Sequence, residues 1–222
     1  NSLKLNNGKS ILGSSMTKRN KSCESEVMLT MQRKELLKKS AIRHAEYYGM
    51  VEVQDALYAD SANKKIFTDL ISIIGSDANI KMAYRNLKSN KGSNTPGVDG
   101  KTFKDLAEMS EEALVRCVRD KILNYQPKAV RRVYIPKPNG KMRPLGIPTV
   151  IDRIVQQSVL QVMEPICEAK FYRHSYGFRP NRSTKNAVAV CYKLAQVDGF
   201  HYVVDVDIKG FFDNVDHGKL LK

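Results

Sequence analysis

Two aspartates with one residue between them, Asp205 and Asp207, are the residues of this chain best spaced for chemistry. They lie in Tyr202-Val-Val-Asp-Val-Asp-Ile-Lys-Gly-Phe-Phe-Asp-Asn-Val-Asp-His217. Alternation predicts a strand, with Tyr202, Val204, Val206 and Ile208 on one face and Val203, Asp205 and Asp207 on the other. Same-face neighbours in a strand stand roughly 6.5–7 Å apart, too far to share one proton tightly. They can line a site for a hard cation such as Mg²⁺, which prefers oxygen ligands. An edge strand with a solvated acidic face would show the same alternation. The β-branched run, the Phe211-Phe212 pair after Gly210 and the basic upstream chain favour a metal-dependent reaction on phosphate.

The charge balance points the same way. Lys and Arg number 37 against 23 Asp and Glu, a net charge of +14 over 222 residues. That excess suggests a polyanionic partner, most simply nucleic acid, although a soluble basic protein would also show it. The length allows one large domain or two small ones. Cys23, Cys117, Cys167 and Cys191 are scattered, with no zinc-like spacing and no disulfide framework, which fits a reducing, intracellular compartment. No apolar run reaches transmembrane length and no signal peptide is evident, so no membrane partner is expected. The chain opens on Asn1 and stops inside Gly218-Lys-Leu-Leu-Lys222, so both ends read as cuts.

Two further stretches carry charge in a useful form. Residues 129–147 read as a hairpin, with Val130, Val133 and Ile135 in the first arm and Asn139-Gly140 at the turn. Arg131, Arg132, Lys137, Lys141 and Arg143 surround its tip, where Lys serves as a point charge and Arg as a fork for phosphate. A solvated edge hairpin protected from aggregation is the plainer reading of the same charges. In His174-Ser-Tyr-Gly-Phe-Arg-Pro-Asn-Arg182, Tyr176, Phe178, Arg179 and Arg182 mix aromatic and guanidinium groups suited to nucleic acid. Loop aromatics also anchor turns against a core.

The elements that must position these residues are mainly helical. Residues 1–22 read as a disordered leader. A helix is expected over about Ser25–Tyr48, ended by Gly49, whereas 51–59 are ambiguous. A second helix is expected over Ala62–Ile74 with Gly75 as its stop, and a third from Asp77, as N-cap, to about Lys88. Asn90–Gly100 is a loop dense in turn formers. Ser110 opens a helix to about Tyr125, before Pro127. Thr149 caps a long helix with Asp152 as its capping-box partner. Its apolar stripe is Ile151, Ile154, Val155, Val159, Val162 and Met163, and Pro165 marks its end. Ser183 caps a helix to about Val197, and the acidic strand follows. The order is that of an α+β fold.

Three stretches together resemble the bacterial group II intron-encoded reverse transcriptases, or maturases. They are Tyr134-Ile-Pro-Lys-Pro-Asn-Gly-Lys-Met-Arg-Pro-Leu-Gly-Ile-Pro-Thr-Val-Ile-Asp-Arg153, His174–Ser183 and Val204-Asp-Val-Asp-Ile-Lys-Gly-Phe-Phe-Asp213. Lys88–Asp99, running into Thr-Pro-Gly-Val-Asp-Gly100, is similar to that family's N-terminal extension of the fingers. The resemblance covers about residues 60–222. It implies a right-hand polymerase fold. Residues 23–100 would be the helical extension, 101–198 the fingers with entry into the palm, and 199–222 the start of the palm. It also implies an RNA-directed DNA polymerase that transfers nucleotides onto a primer 3′ end with two Mg²⁺ ions and assists splicing of its intron RNA. Partners would be intron and template RNA, a DNA primer and deoxynucleoside triphosphates, in the bacterial cytoplasm.

Carried over residue by residue, Asp207 falls on the first catalytic aspartate, a ligand of both metals, and the Ile208 carbonyl on a secondary ligand. Phe212 falls on the aromatic that closes the sugar pocket. Lys137 and Arg143 fall on the fingers residues that hold the triphosphate, whereas Asp205 and Asp213 are not primary ligands. Arg131, Arg132, Lys141, Arg179 and Arg182 are expected to contact RNA. Two metal ions about 3.5–4 Å apart would clamp the attacking and leaving oxygens. The departure is that an aromatic-x-Asp-Asp turn, required downstream in this family, is absent after Asp207. Tyr58-Ala-Asp-Ser61 is a coincidental look-alike. These 222 residues are therefore expected to bind but not polymerise by themselves. A splicing factor that only binds RNA is the alternative, and a retron, diversity-generating or CRISPR-associated relative a weaker third. No oligomeric state follows from the sequence.

Overall fold

The computed structural model describes residues 41–138, 140–211 and 214–220. The expected leader over 1–22, most of the first expected helix, Asn139, Phe212 and Asp213 lie outside them. The chain divides between Lys170 and Phe171 into two compact units.

In the first unit, helix α1 covers residues 41–47 and closes at Gly49, whose φ of 66° suits glycine. Then come α2 (Val51–Ala62), α3 (Leu70–Ile74), α4 (Asp77–Lys88), a 3-10 turn (Lys91–Asn94), α5 (Phe103–Leu106) and α6 (Glu111–Leu123). A hairpin of β1 (Arg131–Pro136) and β2 (Met142–Ile147) leads into α7 (Val150–Glu168). Around α7 pack α2, α3, α4 and α6. The shared core joins Ile154, Val155, Val162 and Ile166 of α7 to Leu57, Ile80, Ala83, Leu114, Val115 and Val118.

Local chemistry sets most of the boundaries. Ser76, Ser110 and Thr149 each accept a hydrogen bond from a backbone N–H in the first turn of α4, α6 and α7. Asp77 is thus the first helical residue of α4, where its charge suits the dipole, and not the cap. Thr102 and Asp105 form a reciprocal capping box that starts α5.

Several expectations are corrected. The ambiguous 51–59 stretch is helix α2, although its apolar residues form no single stripe; Tyr58-Ala-Asp-Ser61 lies inside it. The single helix expected over Ala62–Ile74 is broken: Ala62 ends α2, and after it only Leu70–Ile74 is helical, begun by the Asp69 side chain accepting from Ser72 N–H. Pro165 does not end α7. Its ring nitrogen has no proton for the Gln161 carbonyl, and Gln54 Nε2 of α2 donates to that oxygen instead at 3.2 Å. Ser61 likewise donates to the Ile166 carbonyl at 2.8 Å. On the α7 stripe, Val159 and Met163 are exposed, because the inward face is shared with polar Ser158 and Gln161.

Those polar residues form a buried chain of amides. Asn79 Nδ2 donates to the Ile74 and Ser158 carbonyls, each at 2.9 Å. Gln161 Nε2 donates to Asn79 Oδ1 at 2.7 Å and to the Asn79 carbonyl at 3.1 Å. Asn86 Nδ2 donates to Gln161 Oε1 at 2.9 Å, and Asn86 Oδ1 meets His44 Nδ1 at 2.6 Å.

The second unit holds a turn-rich segment over 171–183, α8 (Thr184–Gln196), which is capped by Ser183, and α9 (His217–Leu220). The strand expected over Tyr202–Ile208 is not formed: these residues have no assigned secondary structure. Both faces are open, with Val203 94% and Val204 84% exposed. A strand needs a ladder partner, and the described residues pair only β1 with β2.

We expect Gln161→Leu to lower the unfolding free energy by about 2–3 kcal/mol, since it strands Asn79 and Asn86 groups away from water. Urea titration followed by circular dichroism measures it, and an unchanged midpoint would show the amides to be dispensable.

Candidate nucleotide and nucleic-acid site

The hairpin is antiparallel, pairing Arg131 with Ile147, Val133 with Leu145 and Ile135 with Arg143. Arg131, Val133, Ile135, Arg143, Leu145 and Ile147 therefore share one face, while Arg132, Tyr134, Pro136 and Met142 share the other. Lys137 N–H donates to the Lys141 carbonyl at 2.7 Å, and Gly140 N–H donates to the Lys137 carbonyl at 3.0 Å. Gly140 has φ of 77°, as a three-residue hairpin loop requires. This tight tip brings Lys137 and Lys141 to one end of the ladder with Arg143 close behind, all exposed. Arg132 is exposed, and Arg131 is half-buried.

Arg131 anchors a neighbouring loop. Its Nε donates to the Pro96 carbonyl at 3.0 Å, tying the hairpin base to the 90–100 loop. Arg153, one turn into α7, holds the same loop through Nη1 to the Gly92 carbonyl at 3.0 Å and Nη2 to the Thr95 carbonyl at 2.7 Å. Its Nε closes on the Pro148 carbonyl at 3.0 Å. Burial opposes the charge on Arg153, Asp99 supports it and Arg131 opposes it. The guanidinium stays protonated at neutral pH regardless. Gly97 sits so close that an added Cβ would meet Thr149 Cα at 2.7 Å. The Thr-Pro-Gly-Val stretch is thereby fixed to the start of α7 and the root of the hairpin. Arg153 was not singled out from the sequence; a turn-rich loop whose carbonyls need donors beside an Asp-Arg pair was the available signal.

In the second unit, Arg179 is buried and donates from Nη1 to the Tyr172 and Ser175 carbonyls, each at 2.9 Å, with its guanidinium 5.1 Å from the Phe171 ring centre. Arg182 donates to the Arg173 carbonyl at 2.6 Å and lies 5.6 Å from the Tyr176 ring centre. Both arginines brace the 171–183 segment. Phe178 is fully exposed in a left-handed conformation, φ 56°, which is costly for a bulky residue.

Asp205, Asp207 and Ile208 are exposed, and Phe212 lies outside the described residues. Among the described residues no group of three or more His, Cys, Asp or Glu side chains is placed to hold a metal. Asp207 and the Ile208 carbonyl are hard oxygen donors of the type Mg²⁺ accepts, and they fit as part of a set that needs further oxygens.

Residues 135–222 match the reverse transcriptase (RNA-dependent DNA polymerase) family model. The chain is 45% identical over 146 residues to protein YkfC of Escherichia coli, covering 63% of this chain and 38% of that protein. It is 41% identical over 141 residues to the group II intron-encoded protein LtrA of Lactococcus lactis, covering 63% of this chain and 23% of LtrA. A COX1/OXI3 intron 1 protein of Saccharomyces cerevisiae is 30% identical over 174 residues, 76% of this chain and 20% of its own. The chain is a relative of the group II intron-encoded reverse transcriptases. It spans less than two-fifths of the length of each of these relatives. The hairpin from Ile135 onward, α7, the 171–183 segment and the Asp205–Asp207 pair all fall inside the matched family region.

Arg153→Ala should release the 92–97 segment at a cost of about 1.5–3 kcal/mol, the range for charged hydrogen bonds. Limited proteolysis should then cut within residues 90–100 first; an unaltered pattern would show the clamp to be redundant.

Proposed function

We propose that this chain supplies the fingers and the first palm segment of an RNA-directed DNA polymerase of the group II intron type. The observation that carries the reading is the order of motifs inside one matched region: a hairpin tip bearing Lys137 and Arg143, then the segment carrying Asp207. In this reading residues 23–100 extend the fingers, 101–198 form them and 199–222 enter the palm of a right-hand fold.

Each side chain then has a task set by its chemistry. Lys137 and Arg143 hold the triphosphate of an incoming deoxynucleotide, Lys as a mobile point charge and Arg as a planar fork. Phe212 packs under the sugar and excludes a 2′-hydroxyl by size. Asp207 and the Ile208 carbonyl would hold Mg²⁺, which lowers the charge on the reacting phosphate when bound. Arg132, Lys141 and Arg182 contact RNA, with Phe178 offered to a base as a stacking face. Arg131 and Arg179 contribute first by fixing loops through backbone carbonyls, so their effect on RNA passes through positioning. The bound species are intron or template RNA and a DNA primer, in the bacterial cytoplasm. Among the described residues no helix is long and apolar enough to cross a membrane. Assistance to intron splicing belongs to the same reading.

No aromatic-x-Asp-Asp turn follows Asp207 within residues 208–222. Two-metal transfer needs carboxylates beyond Asp207, so residues 1–222 alone are proposed to bind RNA without extending a primer. Filter binding to a structured RNA should show a log–log salt dependence that falls by about 1 in slope for each of Lys137→Ala and Arg143→Ala if these residues meet phosphate. Absence of RNA binding at low salt would overturn the reading. Primer extension by these residues alone would overturn the claim of inactivity.

A further inference from the structure

Between the 99–101 turn, the segment after α5, the C-terminal half of α6 and the start of α7 lies a cavity of about 520 Å³. That volume suits a ligand of nucleotide size. The triphosphate and metal residues proposed above take no part in it. Leu106, Met109 and Ile151 give it apolar walls. Asp152 also lines it and is only 2% exposed. Its Oδ2 accepts the Thr149 hydroxyl at 2.7 Å, but Oδ1 has no hydrogen-bond partner. A buried carboxylate oxygen without a donor is costly, and a ligand donor would relieve that cost. Burial, with the Asp152 charge as the second cause, pushes the nearby Tyr125 hydroxyl pKa up, so the phenol stays neutral.

The charge of the walls narrows the ligand further. Lys101, Lys121 and Lys128 stand with Asp99 and Asp120, so the cavity is balanced in sign and unlike a plain phosphate-binding patch. Lys121 is engaged with the Gln126 carbonyl and the Tyr125 ring, and Asp99 accepts from Lys101 N–H at 3.3 Å and supports Arg153. Lys101 and Lys128 remain exposed where they border the cavity. A fitting ligand has a flat apolar body, a polarised N–H donor at one end and an anion at the other. Nucleotides whose bases carry an amino group have all three, and a carboxylate accepts well from an exocyclic amine. Uracil has no exocyclic amine, and its one N3–H sits between two carbonyl oxygens that a carboxylate repels.

We infer that this cavity receives one nucleotide of the bound RNA, turned out of its stack, with an amino-bearing base against Asp152 Oδ1 and its phosphate near Lys101 and Lys128. The inference rests on the proposed RNA-binding role. Single unpaired bases are the usual targets of base-specific contacts in RNA, because their edges are open.

The test uses the 222-residue chain and a stem-loop RNA with one bulged position, read by fluorescence anisotropy. A bulged cytidine should bind about tenfold tighter than an abasic residue at the same place, and a bulged uridine no tighter than the abasic RNA. In Asp152→Asn the carbonyl can keep the Thr149 hydroxyl and the amide can face the cavity, so the preference should reverse toward uridine. Lys128→Ala, an exposed change, should weaken binding of the cytidine bulge and leave the abasic RNA unaffected. Equal affinity for bulged and abasic RNAs would overturn the inference while RNA binding itself stood. An unchanged base preference in a folded Asp152→Asn variant would overturn the role of Asp152. Free cytidine monophosphate binding as tightly as the RNA would overturn the assignment to an RNA residue. Failure to bind any RNA would take the parent reading down as well.

Discussion

Everything in the first unit hangs on the inward face of α7 being partly polar. Asn79 and Gln161 pair side chain to side chain in a buried position, and each then reaches a backbone carbonyl or a further amide. A purely apolar face would let α4 slide along α7 with little penalty. Here a shift leaves amide groups unpaired away from water, at about 1–3 kcal/mol each. The same logic keeps α7 helical through Pro165, because Gln54 supplies the donor that proline lacks. A long helix held in fixed register can carry precise features at its start: the Thr149–Asp152 cap, the Arg153 clamp and the outlet of the hairpin.

That register is what connects packing to function. Arg153 and Arg131 anchor the 90–100 loop, and Gly97 approaches Thr149 too closely for any side chain. Loop, hairpin root and helix start therefore form one rigid corner. In the proposed reading, nucleotide contacts sit on the hairpin tip beyond that corner, where few packing contacts constrain them. The second unit follows a different scheme. Arg179 and Arg182 spend donors on local carbonyls of the 171–183 segment, and among the described residues of this unit no apolar side chain is buried.

Much of this was legible in the sequence where the signal is local. Ser110, Thr149 and Ser183 announce their helices because capping is chemistry within four residues. The hairpin was legible from alternation and from the Asn139-Gly140 pair. Helix α2 was not, because its partners are carbonyls of α7 about a hundred residues away, and Gln54 and Ser61 look like surface residues in a one-dimensional reading. The 202–208 strand failed for the opposite reason: its alternation is strong, but a ladder is a property of two strands. Of the candidate site, Lys137 and Arg143 lie at the exposed hairpin end as expected, while Arg131 and Arg179 turned out to hold backbone. The clamp of Arg153 and the open oxygen of Asp152 became visible only in three dimensions, although both follow the Thr149 cap directly in sequence.

Alternation alone would place Asp205 and Asp207 on one face, yet in the proposed function Asp207 holds the metal and Asp205 has a supporting place. The decisive measurement is Mg²⁺-dependent primer extension by a longer polypeptide that includes the downstream carboxylate turn. Asp207→Ala should lower the rate by about 100-fold or more with RNA affinity preserved, while Asp205→Ala should stay within about tenfold of the parent. Full activity of the Asp207→Ala protein, or a greater loss from Asp205→Ala, would contradict the account.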